Sequence, residues 1–188
     1  AEAASAATAN SEALVMGVFV DVICSVVQLR SNLRRKGSTN SVSMRPKKVL
    51  VTGGTGFIGS QLVRELQKRG DDVTVLLRSP DQVERFSQPI RAVTWDQPAA
   101  ACAGQDAVVH LAGEQAVGVR WDEAAKERIL SSRVDTTRAL VSAIASADLR
   151  PRVLVCASAV GYYGAREGGD LVDESGAAGS DFLAQVCA

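Results

Sequence analysis

One stretch constrains the fold of this chain more than any other: Lys48-Val49-Leu50-Val51-Thr52-Gly53-Gly54-Thr55-Gly56-Phe57-Ile58-Gly59. A short apolar run with β-branched residues reads as a buried strand, and the glycines that follow read as a turn into a helix. The glycines at 53, 56 and 59 repeat every third residue. Gly53 is expected to allow the tight turn out of the strand. Gly56 is expected to let backbone N–H groups approach a pyrophosphate, and Gly59 to let the helix pack against the strand. The helix beyond carries Ile58, Leu62, Val63 and Leu66 at amphipathic spacing and stops at Gly70. Its N-terminus offers unpaired N–H groups and a positive dipole end, a natural seat for phosphate. The candidate cradle is therefore Gly53, Thr55, Gly56, Phe57, Ile58 and Gly59.

The pattern then alternates. Strands are expected at Val73–Leu77, Ala92–Trp95, Ala107–Leu111 and Val153–Ala157. A long helix follows Trp121, with apolar residues at Ile129, Leu130, Val134, Val141 and Ile144 beside Thr137. Ser180-Asp181 can cap a last helix beginning near Phe182. Strand–helix alternation predicts an α/β fold, a doubly wound parallel sheet with helices on both faces. The second strand ends at Arg78, nineteen residues after Gly59. An acid near this distance would bind the ribose 2′-hydroxyl of NAD. An arginine there can instead fork onto a 2′-phosphate, so NADP(H) is the expected cofactor. The other reading of Arg78 is a solvated charge at a strand end.

Composition narrows the classes. Lys and Arg number 21 against 21 Asp and Glu. No basic run interleaved with aromatics appears, so no nucleic-acid partner is expected. The four cysteines form no C-x-x-C pair, and with a single histidine, His110, no metal site is expected. Residues 1–46 form an N-terminal extension distinct from a domain at 47–188. Residues 37–46 read as a linker and residues 13–29 as a strongly apolar helix followed by Arg30, Arg34, Arg35 and Lys36. Gly17, Asp21, Ser25 and Gln28 fall on one face of that helix. It reads as a membrane helix, as a helix docked on a partner protein, or as a targeting sequence.

Several blocks together resemble the extended short-chain dehydrogenase/reductases, and within them the nucleotide-sugar-epimerase-like "epimerase family protein" branch, with bacterial and plastid members. They are VTGGTGFIGSQLVREL at 51–66, DAVVHLAGE at 106–114, RWDEAAKERILSSRVDTTRALVSAI at 120–144 and CASAVGYYG at 156–164. The resemblance spans residues 47–188 and implies a Rossmann-type domain. The family's fold continues further, so the chain is expected to be incomplete on its C-terminal side. The resemblance further implies that Leu111, Ala112 and Gly113 lie against the dinucleotide and that Ser158 is the catalytic hydroxyl. His110 is expected to pack inside the domain. The resemblance also implies a functional role for the block Arg120, Trp121, Lys126, Arg133 and Asp135; from the residues alone, Arg133 and Asp135 read equally well as helix-surface charges, and Trp121 as a packing anchor.

The chain departs from the family at one place. The usual base is a tyrosine four residues before a lysine, whose charge lowers the phenol's pKa. The lysines are Lys36, Lys47, Lys48, Lys68 and Lys126, none after Ser158, and the expected position near Leu183–Cys187 holds neither residue. The first functional expectation is an NADP(H)-binding epimerase-family protein without this catalytic pair. The alternative is a catalytically silent Rossmann accessory subunit of a membrane-bound photosynthetic or respiratory complex, held there through residues 13–29. Organellar location, plastid first, goes with both, with mitochondrial or cytoplasmic location the alternatives.

Overall fold

The computed structural model describes residues 45–116, 118–166 and 171–188. The apolar segment 13–29 and the linker 37–44 lie outside the described residues. Five parallel strands form one sheet in the order β3-β2-β1-β4-β5: β1 (Lys48–Thr52), β2 (Asp72–Leu77), β3 (Arg91–Thr94), β4 (Ala107–His110) and β5 (Val153–Cys156). The helices are α1 (Phe57–Lys68), α2 (Pro98–Cys102), α3 (Glu123–Ser146) and α4 (Phe182–Cys187). This is the doubly wound arrangement the alternation predicts. Each strand lies within one or two residues of its expected position. The five-residue helix α2 is too short to show a periodicity and goes undetected in the sequence.

The sheet is buried on both faces, which is why β1 reads as an unbroken apolar run. Val49, Val51, Val73, Val75 and Val109 point to the face covered by α1, where they meet Leu62, Val63 and Leu66. Leu50, Leu76 and Val108 point the other way, to Ala101 and Cys102 of α2 and Leu140 and Ala143 of α3. Each fully buried Val or Leu contributes about 1.5–3 kcal/mol. Helix α1 ends as expected at Gly70, whose φ is +80°. The Asp71 N–H reaches back to the Leu66 carbonyl at 3.0 Å and the Gly70 N–H to that of Gln67 at 2.9 Å, so the last turn closes on a glycine.

Helix α3 sits differently from its apolar stripe. The residues it buries are Ala125, Ile129, Leu140 and Ala143, whereas Leu130 and Val141 are 38% and 47% exposed. Small alanines at the contact let the helix lie close to the sheet. β5 is itself only half covered. The Asp122 side chain caps α3 by accepting from the Ala125 N–H at 2.8 Å. Asp181 caps α4 in the same way, as expected, accepting from Ala184 at 2.9 Å. It also accepts from the Ala165 N–H at 3.1 Å, which ties the loop after β5 to that helix. At the opposite edge of the sheet Arg45 forks onto Asp106 at 2.6 and 3.1 Å. Burial raises the Asp106 carboxyl, but the Lys48 N–H, Arg45 and Lys47 together outweigh it and hold it below the usual carboxylate range.

Candidate functional site

The strand register brings the expected site residues to one edge. Thr52 is level with Leu76 of β2 and His110 of β4, and His110 is level with Cys156 of β5. Two residues further on in each strand stand Arg78, Gly54, Ala112 and Ser158. Four neighbouring strand exits, spanning roughly 15 Å at the usual strand spacing, thus carry the glycine turn flanked by a guanidinium on one side and a hydroxyl on the other. The strand order reverses direction between β1 and β4, and a crevice at such a switch point is where open α/β sheets bind ligands.

The glycines have different tasks. Gly53 has φ +69°, and a Cβ there would stand 2.6 Å from the Leu111 carbonyl and 2.7 Å from the Ala112 nitrogen. The turn is thereby pressed against the exit of β4. A Cβ on Gly59 would lie 2.2 Å from the Gly53 oxygen. Gly59 therefore lets the helix close on the turn itself; the expected close contact with the strand is replaced by one with the turn. Gly54 fills a buried gap between Val75, Phe86 and Val63, a role the three-residue spacing did not disclose. Gly56 is the exception. Its φ of −78° is ordinary, it is exposed, and a Cβ would meet only the Gly53 oxygen at 3.2 Å.

Gly56 is also the N-cap of α1. It makes no side-chain cap, and the first turn holds no acid. The positive end of the helix dipole is therefore left without an anion from the helix itself. Thr55 is half-buried in the turn, Ile58 packs onto the core below, and Phe57 is 68% exposed at the mouth.

Arg78 is exposed, and its backbone N–H donates to Gln82 at 3.1 Å. Its guanidinium has no ion-pair partner among the described residues. On the other side of the turn, a Cβ on Gly113 would fall 3.1 Å from the Cζ of Arg133. The arginine lies flat over that glycine and uses one N–H on the Ile129 carbonyl at 3.1 Å. The resemblance marks Arg133 as functional, whereas the residues alone leave a surface charge equally open. The available signal was its place four residues after buried Ile129 and seven before buried Leu140, on the inward side of α3.

His110 is 4% exposed, inside the domain as expected. Thr52 Oγ1 lies 2.6 Å from its Nδ1 and itself accepts the Ala112 N–H at 3.2 Å. Across the ring, Nε2 lies 3.1 Å from Thr137 Oγ1. The Thr136 hydroxyl is already donated to the Ser132 carbonyl at 2.5 Å, so at 3.4 Å from Nε2 it can only accept. With Thr136 limited to accepting, the pattern favours a neutral ring with Nε2 protonated and Nδ1 accepting from Thr52. Burial pushes the His110 pKa down, in keeping with that state. This chain of hydrogen bonds fixes the β4 exit against β1 and α3.

Ser158 is exposed beyond β5. The loop after it turns onto α4, where a Cβ on Gly161 would be 3.1 Å from Leu183 Cβ. Helix α4 brings Leu183 and buried Ala184 to this end and carries neither tyrosine nor lysine. Trp121 acts as the expected anchor: its Nε1 donates to the Ala116 carbonyl at 2.8 Å and its ring meets Phe182 edge-on at 5.7 Å. No group of three or more potential metal ligands occurs among the described residues.

This geometry has known counterparts. The model of the NAD dependent epimerase/dehydratase family matches residues 49–181. The Arabidopsis thaliana protein called epimerase family protein SDR39U1 homolog, chloroplastic, is 40% identical over 146 residues, covering 74% of this chain and 42% of that protein. Human epimerase family protein SDR39U1 (isoform2), crystallised with NADPH, is 36% identical with a TM-score of 0.63, over 74% of this chain and 45% of that one. A nucleoside-diphosphate sugar epimerase from Corynebacterium glutamicum is 34% identical with a TM-score of 0.60, over 76% of this chain and 29% of that one. The chain spans less than half the length of each of these relatives.

Proposed function

The chain belongs to the NAD dependent epimerase/dehydratase family, and from that premise we propose that it is an NADP(H)-binding Rossmann domain. The observation that carries the reading is Gly56. Its neighbours Gly53 and Gly59 are required by the fold, because a side chain on either would strike backbone. Gly56 is less tightly held: a Cβ there would press only on the Gly53 oxygen at 3.2 Å, and it stands exposed at the end of α1 that no side chain caps. Its missing side chain leaves room for a ligand, and the free N–H groups beside it suit the diphosphate. Arg78 then meets the adenosine end, where its fork fits a 2′-phosphate. NADPH in the human relative's crystal structure supports the same choice.

The dinucleotide would run from Arg78 across Gly56 to Leu111, Ala112 and Gly113, with Ser158 beyond the nicotinamide end. Bound there, NADP(H) supplies hydride chemistry. The residues of this chain supply orientation and one hydroxyl, and no lysine follows Ser158 to make a phenolate base. The second reading is a silent accessory subunit. The chloroplastic relative supports a plastid location.

The test is titration with NADPH of the chain and of Gly56→Val. A weakening of at least tenfold is expected in the variant, with a loss of only about 1 kcal/mol of stability at this cap position. Equal affinity in the two proteins would refute the phosphate cradle.

A further inference from the structure

We propose that the groove between β3 and α2 is a second ligand site, built to take the oxyanion headgroup of a small molecule. The groove has a volume of about 340 Å³, and its lining includes Thr74, Arg91, Val93, Gln97, Ala100 and Ala101. Small-molecule sites commonly run from about 300 to 1,000 Å³. The groove is separate from the dinucleotide crevice. Arg91 opens β3 at the end of the strand away from its exit. Thr74 lies four residues before Arg78, roughly 13 Å back along β2.

The strand register puts two polar groups together. Thr74 pairs with Arg91 across β2 and β3. Each stands two residues before an apolar residue that packs on the α2 side of the sheet, Leu76 and Val93. Both side chains therefore lie on the α2 face, beside an apolar layer made by Leu50, Leu76 and Val108. Thr74 is 2% exposed, and its hydroxyl has no hydrogen-bond partner among the described residues. A buried hydroxyl in that state is costly, and a ligand accepting from it removes the cost.

Two further groups along the groove are unspent. The Arg91 guanidinium makes no ion pair within 4.0 Å among the described residues. Asp96, the acid in the same lining, accepts instead from the Thr94 hydroxyl at 2.6 Å. Gln97 stands at the N-cap of α2 and makes no side-chain cap. The alanines at 100 and 101 keep the helix wall from filling the space. One guanidinium, one buried hydroxyl and one amide together suit a carboxylate or phosphate headgroup. Asp96 disfavours a second anionic group, so the rest of the ligand is neutral or cationic.

The test is residue-resolved NMR of the whole chain, titrated separately with inorganic phosphate and with acetate. Saturable shifts are expected at Thr74, Arg91 and Gln97 with at least one of them, and the tighter anion identifies the headgroup. Arg91→Ala should weaken that binding at least tenfold. The isosteric Thr74→Val should weaken it about fivefold and raise the melting temperature of the anion-free protein, because it removes the unpartnered hydroxyl. Both variants should keep NADPH affinity within twofold of the unaltered chain. The inference is overturned if neither anion shifts the groove residues to saturation, or if the shifts fall only on residues 53–59. It is equally overturned if Thr74→Val binds as the unaltered chain does, which would mean an adventitious ion only, drawn to an exposed arginine.

Discussion

At the scale of single residues, His110 carries the clearest consequence. Its ring is buried between Thr52 and Thr137, and a second ring proton would place a charge there with no carboxylate hydrogen-bonded to it among the described residues. Its pKa is depressed by burial, so between the folded and unfolded values the unfolded chain binds the extra proton. Stability is then intact above the ordinary imidazole pKa of about 6.5 and falls as pH drops through it toward the folded value. His110 is the only histidine in the chain, which isolates the effect. Melting temperature should decline on acidification from about pH 7.5 to 5.5, and His110→Asn should flatten that decline. A slope unchanged in the variant would remove His110 from the account. Burial of His110 was legible from its place in an apolar strand. Its hydrogen-bond partners were not, because Thr136 and Thr137 reach it only once α3 lies over β4.

At the scale of elements, the seating of α3 makes a contrast between neighbours. Leu140 is fully buried against the sheet and Val141 is 47% exposed. Leu140→Ala should cost about 2–5 kcal/mol, by lost burial and by the cavity left behind. Val141→Ala should stay within about 0.5 kcal/mol. Urea midpoints would measure both, and similar losses would mean that the helix face is turned otherwise. The strands were legible because buried parallel strands read as apolar runs, and the end of α1 because Gly70 marks it. The inward face of α3 was only partly legible, since Ala125 and Ala143 share the contact with Ile129 and Leu140 while Leu130 and Val141 stay outside it. Hydrophobicity alone points to Leu130 and Val141. Only the partners of Arg133, Thr136 and Thr137 at the β4 exit explain the observed rotation.

At the scale of the whole molecule, the sheet order makes the site. Pairing β1 between β2 and β4 brings Arg78, the glycine turn, Leu111–Gly113 and Ser158 to one edge from segments far apart in the chain. The glycine turn, Arg78 and the strand ends were readable as local signals. Arg133 stood out only through the resemblance, and its place over Gly113 was not legible, because it depends on how α3 is seated. Cofactor preference is the sharpest expression of this arrangement, since one exposed guanidinium at the β2 exit is asked to distinguish a 2′-phosphate from a hydroxyl. The most direct measurement is the ratio of the NADPH and NADH dissociation constants for the chain and for Arg78→Asp. The account predicts NADPH bound at least tenfold more tightly by the unaltered chain, and a shift of at least tenfold toward NADH in the variant. The same ratio in both proteins would contradict it.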